Sequence, residues 1–216
     1  PEGYAYAKKV GIDIVATELF PMMSMDVSTQ LVRIRELEPD WIYSNTLSIG
    51  PPAIMKSAHD LGYKINLAGG YGIGWDAIAI GGVELMEGIK ISGDTVSWDD
   101  ISNPAVIKLQ AIFDAHNRTA KEHDQVYESG FAYTLVAAEA IGKAVHEVGW
   151  EGLNGEAVYN QFIKLDYAPL GGIIYANYSE SKHTLTKTFM QEIHDGKIIP
   201  ISTWRDAPDL RPAEFK

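Results

Sequence analysis

The chain has 216 residues, no cysteine, and a net charge of −11 from 18 Lys and Arg against 29 Asp and Glu. That charge repels phosphate backbones and anionic membrane surfaces, which sets nucleic acid aside as a partner, and the missing cysteine excludes disulfides, thiolate nucleophiles and cysteine metal sites. At 46% hydrophobic and 22% charged residues the composition is that of a folded globular protein, and no apolar run reaches the ~18 residues of a membrane span.

In chain order, Tyr4, Ala5, Ala7 and Lys8 suit a short helix closed by Gly11, a residue that accepts the left-handed conformation. Ile12 to Ala16 (IDIVA) is a β-branched run and reads as a strand. Asp26 is placed to cap a helix with Val27, Leu31, Ile34 and Leu37 on its apolar face, stopped by Pro39. A second strand is expected at 41–45, a helix from Pro51 to Gly62, a third strand at 65–68, a short helix over 76–80 and a fourth strand at 89–92. Strand starts at 12, 41, 65 and 89 follow the spacing of consecutive β-α units, so the class is α/β with a parallel sheet.

Beyond residue 94 the pattern becomes helical. Asn103-Pro104 starts one helix, Tyr127 to Val148 forms a longer and deeply buried one ended by Gly149, and Asn154 caps another. Short strands are expected at 173–175, 186–193 and 198–201, with Asp195-Gly196 as a hairpin turn. A parallel sheet that begins on a helix lacks the strand that should precede it, so the chain is expected to start partway into a larger protein.

Ligands of open α/β sheets bind just past the carboxyl ends of the strands. Two segments fall there. Ser44-Asn45-Thr46-Leu47-Ser48 gathers small hydroxyl and amide groups before a helix opened by Gly50-Pro51-Pro52; it fits either a polar ligand end held with helix N–H groups or an ordinary turn. The run from Gly69 to Trp75 combines glycines that allow close approach with the amphipathic rings of Tyr71 and Trp75; it lacks the spacing of a dinucleotide fingerprint. Tyr127, at the start of the long helix, is open between packing and ligand contact. The six histidines are scattered without metal spacing, no nucleophile elbow or phosphate loop occurs, and Glu18, Asp99 and Asp100 read as surface charges. No catalytic group, metal site or cofactor is expected.

Five stretches then carry a resemblance: LVRIRELEPDWIYSN (31–45), MKSAHDLGYKINLAGG (55–70), GGVELMEGIKISG (81–93), YESGFAYTLVAAEAIGKAV (127–145) and HDGKIIPISTW (194–204). In this order and spacing the chain resembles the type I periplasmic solute-binding proteins of ABC importers, in particular the leucine/isoleucine/valine-binding (branched-chain amino acid) group. The resemblance implies two Rossmann-like lobes joined by three crossings. Residues 1–93 would be the second lobe without its first strand, 94–184 the returning part of the first lobe, and 185–216 the crossover back, roughly the C-terminal three-fifths of such a protein. It further implies an exported, periplasmic or extracellular binding protein that captures a small solute between its lobes and presents it to an importer permease; the same fold also serves as the ligand-binding module of sensors and receptors. By position, Asn45, Thr46, Leu47 and Ser48 match the ligand-facing turn, Tyr71 and Gly72 the loop where amino-acid binders place a Glu against the ligand ammonium, with Trp75 beyond, and Tyr127 a cleft aromatic. With Tyr71 in place of the acid, a carboxylate-bearing or aromatic solute fits at least as well as an aliphatic amino acid, because an unpaired buried ammonium is costly. Apolar faces left without their neighbours imply self-association.

Overall fold

The computed structural model describes residues 2–70, 73–123, 125–185 and 187–211. After α1 (Glu2–Lys9) and α2 (Ser28–Arg35), strand and helix alternate: β1 (Ile42–Ser44), α3 (Gly50–Asp60), β2 (Leu67–Gly69), α4 (Trp75–Gly81), α5 (Val83–Met86) and β3 (Lys90–Gly93). The three strands are parallel neighbours, Ser44 opposite Gly69 and Gly69 opposite Ile91. Helical crossovers between successive strands force that parallel order. Leu31, Ile54, Leu67, Ile73, Met86, Ile89 and Ile91 form the core between sheet and helices.

The helical stretch follows as α6 (Pro104–Ala115), α7 (Gln125–Gly152) and α8 (Gly155–Phe162), with a two-stranded ribbon of β4 (Asp166–Tyr167) and β5 (Ala176–Asn177). The chain then returns as β6 (Lys187–His194), β7 (Lys197–Pro200) and β8 (Arg205–Asp206). β6 runs antiparallel to β3 and to β7, giving the order β1-β2-β3-β6-β7. Asp195 and Gly196 make the turn between β6 and β7 with φ of 49° and 73°, the left-handed pair that a two-residue hairpin requires. Glu87 fastens this turn, accepting from His194 Nδ1 at 2.7 Å and from the Asp195 N–H at 2.9 Å.

The molecule divides into two compact units, Pro1–Gly93 with Phe189–Thr203, and Asp94–Thr188 with Trp204–Lys216. The chain therefore passes from one to the other three times. The core of the second unit is built by Val106, Leu109, Ala132, Val136, Leu165, Ile173 and Ile174.

Several elements differ from expectation. Residues 12–16 pair with no strand among the described residues, and Ile12, Ile14 and Val15 are exposed. Their β-branched character suits a strand, but a strand needs a ladder partner. Ile173 and Ile174 are fully buried without being in a strand. Val27, not Asp26, holds the N-cap of α2, although Asp26 Oδ1 accepts the Ser28 N–H at 2.8 Å. α7 breaks at Gly149 (φ 72°, ψ 170°), the residue expected to end it, and a further helical turn runs on to Gly152; against the expectation of burial on most sides, it buries the stripe Ala132, Val136, Ala140 and Ala144 while Tyr133, Ile141 and Val148 lie exposed.

Candidate functional site

β1, β2 and β3 all end on the same edge of the first unit, and the residues at those ends are hydroxyls and glycines. Ser44 closes β1 with a buried side chain whose Oγ lies 2.7 Å from Thr46 Oγ1. Thr46 and Ser48 are half-buried, and Asn45 and Leu47 are exposed. Thr46 lies against the start of α3 so closely that a Cβ on Gly50 would fall 2.1 Å from its Oγ1; glycine is required there by close approach.

The start of α3 differs from the sequence expectation. The Gly50 N–H is already bonded to the Leu47 carbonyl at 2.9 Å, and Pro51 and Pro52 have no N–H to give. The first helical residues thus offer a ligand no backbone donors, and the polar chemistry of this turn comes from the side chains of Ser44, Asn45, Thr46 and Ser48.

Beyond β2, the Cβ position of Gly70 lies 3.4 Å from Tyr43 Oη and 3.8 Å from Ser92 Oγ, and Ser92 Oγ donates to the Gly69 carbonyl at 3.5 Å. The rim therefore includes Tyr43 from β1 and Ser92 from β3. Sequence reasoning missed both, although each is the last or last-but-one residue of a strand and the strand-end rule reaches them. Tyr71 and Gly72 lie outside the described residues. Trp75, first residue of α4, is half-buried and packs against the core of this unit. None of the rim side chains Tyr43, Ser44, Asn45, Thr46, Ser48 and Ser92 carries a charge.

Tyr127 belongs to the second unit. Its ring meets Phe113 edge-on at 5.1 Å and Trp98 at 6.5 Å, lies 6.1 Å from Phe131, and has the Arg118 guanidinium 5.5 Å from its centroid. Next to it, Glu128 is a buried carboxyl bonded to His123 Nε2 at 3.2 Å and to the Trp98 backbone N–H. Desolvation pushes its pKa up to about 7, against the lowering effect of those two bonds. Among the described residues, three His and carboxylate groups gather closely at Glu87, His194 and Asp195; all three are exposed, and Glu87 is occupied with the hairpin.

The sequence matches the periplasmic binding protein family over residues 4–197. The chain belongs to the periplasmic binding protein family. Comparison with curated protein sequences returned no match. Among solved structures, a branched-chain amino acid ABC transporter protein from Thermus thermophilus with bound valine is 19% identical at a TM-score of 0.77, covering 98% of this chain and 56% of its own. A leucine-binding protein LivK from Thermotoga maritima is 19% identical at 0.73, covering 92% and 53%. An extracellular ligand-binding receptor from Rhodopseudomonas palustris HaA2 is 20% identical at 0.72, covering 91% and 57%. The binding protein thus has the type I periplasmic-binding-protein fold, and it spans little more than half the length of the structures it matches. Among its described residues, no helix is long and apolar enough to cross a membrane.

Proposed function

We propose that this chain is the ligand-capturing part of an extracytoplasmic solute-binding protein serving an ABC importer. It carries out no chemistry of its own. Its first unit acts as the second lobe and its second unit as the returning part of the first lobe, with a small organic solute held where the β1, β2 and β3 ends gather their hydroxyls. The residues proposed to contact the solute are Asn45, Thr46, Leu47, Ser48, Tyr71, Gly72, Trp75 and Tyr127. Hinge closure over the solute is the signal that a permease reads.

The observation that carries the choice of solute is the uncharged rim of Tyr43, Ser44, Thr46 and Ser92. Hydroxyls donate to a carboxylate or to a neutral oxygen. They give neither a carboxylate nor an ammonium a counter-charge, but Tyr71 stands at the position where amino-acid binders place the acid that meets the ligand ammonium, so it is the ammonium that loses its partner. A carboxylate-bearing or aromatic solute is therefore favoured over an aliphatic amino acid. A thermal-shift screen tests this, since a ligand bound only by the folded state raises Tm by mass action. Aromatic and aliphatic carboxylates are expected to raise Tm, with valine and leucine inert; the reverse pattern overturns the reading. In calorimetry, Thr46→Ala and Tyr71→Ala should each weaken binding about tenfold, the equivalent of one lost contact at about 1.4 kcal/mol.

A further inference from the structure

We propose that Glu128 and His123 form a proton-linked latch that fastens segment 97–99, just after the chain enters its second unit, to the first turn of α7. This rests on the second unit alone and is independent of the solute reading above.

Glu128 is 3% exposed, and its one carboxyl joins three separate pieces of chain. It sits on α7, it bonds His123 of the loop before that helix at 3.2 Å, and it accepts the backbone N–H of Trp98. The His123 ring in turn stacks on the Trp98 indole, centroids 4.1 Å apart and planes 35° apart. Segment 97–99 is thereby gripped twice, through its backbone and through a ring. The local turn is further fixed by Ser97 Oγ accepting the Asp99 N–H at 3.2 Å.

A carboxyl buried this deeply needs a proton or a cation. Arg118 is engaged elsewhere, bonded to Glu122 at 3.3 Å and lying over Tyr127. Asp99 opposes ionisation of Glu128, and Asp94 accepts the Tyr133 hydroxyl. α6 contributes Phe113 to the cluster, with Asp114 and His116 exposed at its end. Among the described residues, the His123 ring and the Trp98 amide are the groups bonded to this carboxyl. While Glu128 is protonated, its carboxylic acid donates to Nε2 and the site carries no buried charge. When that proton leaves to solvent, a buried carboxylate remains beside Asp99. The latch weakens at that step, which burial places near neutrality, where the Glu128 carboxyl stands at about 7.

Trp98 reports the step, because its backbone N–H is bonded to the Glu128 carboxyl and its indole stacks on the ring that Glu128 holds, so loosening the latch changes the indole's surroundings. Tryptophan emission of the chain should change in a step centred near pH 7. Trp98→Phe should abolish that step, and so should Glu128→Gln, which keeps the shape and removes the titrating group. Between pH 6 and pH 8 the wild-type Tm should fall relative to that of Glu128→Gln. Coincident emission profiles and parallel Tm profiles for wild type and Glu128→Gln overturn the proposal. If that variant does not fold, His123→Gln decides: by removing a bond that lowers the Glu128 pKa it should move the step to higher pH, and an unmoved step overturns the proposal.

Discussion

At the scale of single residues, two positions have energetic consequences large enough to measure. At about 1.4 kcal/mol per pH unit, raising Glu128 from 4.5 to about 7 makes its ionised form cost on the order of 3 kcal/mol in the folded state. The sign follows from the direction of the rise. The folded pKa lies above the unfolded one, so this stability is fully present below about 4.5 and is lost as pH rises through about 7. Urea denaturation at pH 5 and pH 8 should therefore show wild type losing stability relative to Glu128→Gln. Gly69 supplies a second case: an alanine Cβ there would stand 2.4 Å from Ile73 Cδ1 and 2.8 Å from the Ser44 carbonyl oxygen. The isoleucine tip can turn away, but the carbonyl belongs to the neighbouring strand and can move only by parting β1 from β2. Gly69→Ala should cost about 1–3 kcal/mol by overpacking, measured by urea denaturation. Gly70→Ala, whose Cβ meets nothing nearer than 3.4 Å, should stay within about 0.5 kcal/mol of wild type. The general location of the rim was legible because polar residues follow the strands. Its composition was only partly so, since Tyr43 and Ser92 sit inside strands, where sequence alone assigns them to the ladder. The loss of helix donors at α3 was readable from Pro51-Pro52 and became decisive once the Gly50 N–H was seen to be taken.

At the scale of elements, caps and turns were the most legible features, because their chemistry is local. Asn103 accepts the Ala105 N–H at 3.0 Å and Asn154 the Ala157 N–H at 3.0 Å. Each satisfies a helix donor that would otherwise be left unpaired. Asn103→Ala should cost about 1 kcal/mol, and chemical denaturation that leaves stability unchanged would refute the cap's role. The strands expected at 41–45, 65–68 and 89–92 appear as 42–44, 67–69 and 90–93, where the β-α rhythm and burial agree. Residues 12–16 carry the same β-branched signal but form no ladder among the described residues, because pairing is a property of two segments and the sequence displays only one. α7 shows the reverse limit. Its apolar residues surround the helix, yet among those described only the alanine stripe and Val136 are fully buried, so composition overstated how much of its circumference would be packed.

At the scale of the whole molecule, two opposing forces act on its surface. Segment 10–25 exposes Val10, Ile12, Val15, Leu19, Met22 and Met23, with Leu19 84% accessible, while Phe20 packs against the core. Among the described residues β1 ends the sheet order with β2 on one side only, and an open strand edge and exposed apolar residues are each a template for association with another chain. The net charge of −11 works against this, since like-charged copies repel. Salt decides which prevails. The repulsion is long-ranged and is screened within about 8 Å at physiological ionic strength, whereas burial of apolar surface is not weakened by screening and is strengthened by sulfate. Light scattering should therefore show association that grows with protein concentration and with added sodium chloride, and further in ammonium sulfate. Leu19→Glu with Met23→Glu places two more negative charges on the patch and removes two apolar contacts, so the double variant should remain monomeric at salt concentrations where wild type associates. A wild-type chain that stays monomeric across the salt range would mean that segment 10–25 is not an adhesive surface, and a double variant that associates as strongly as wild type would move the contact elsewhere.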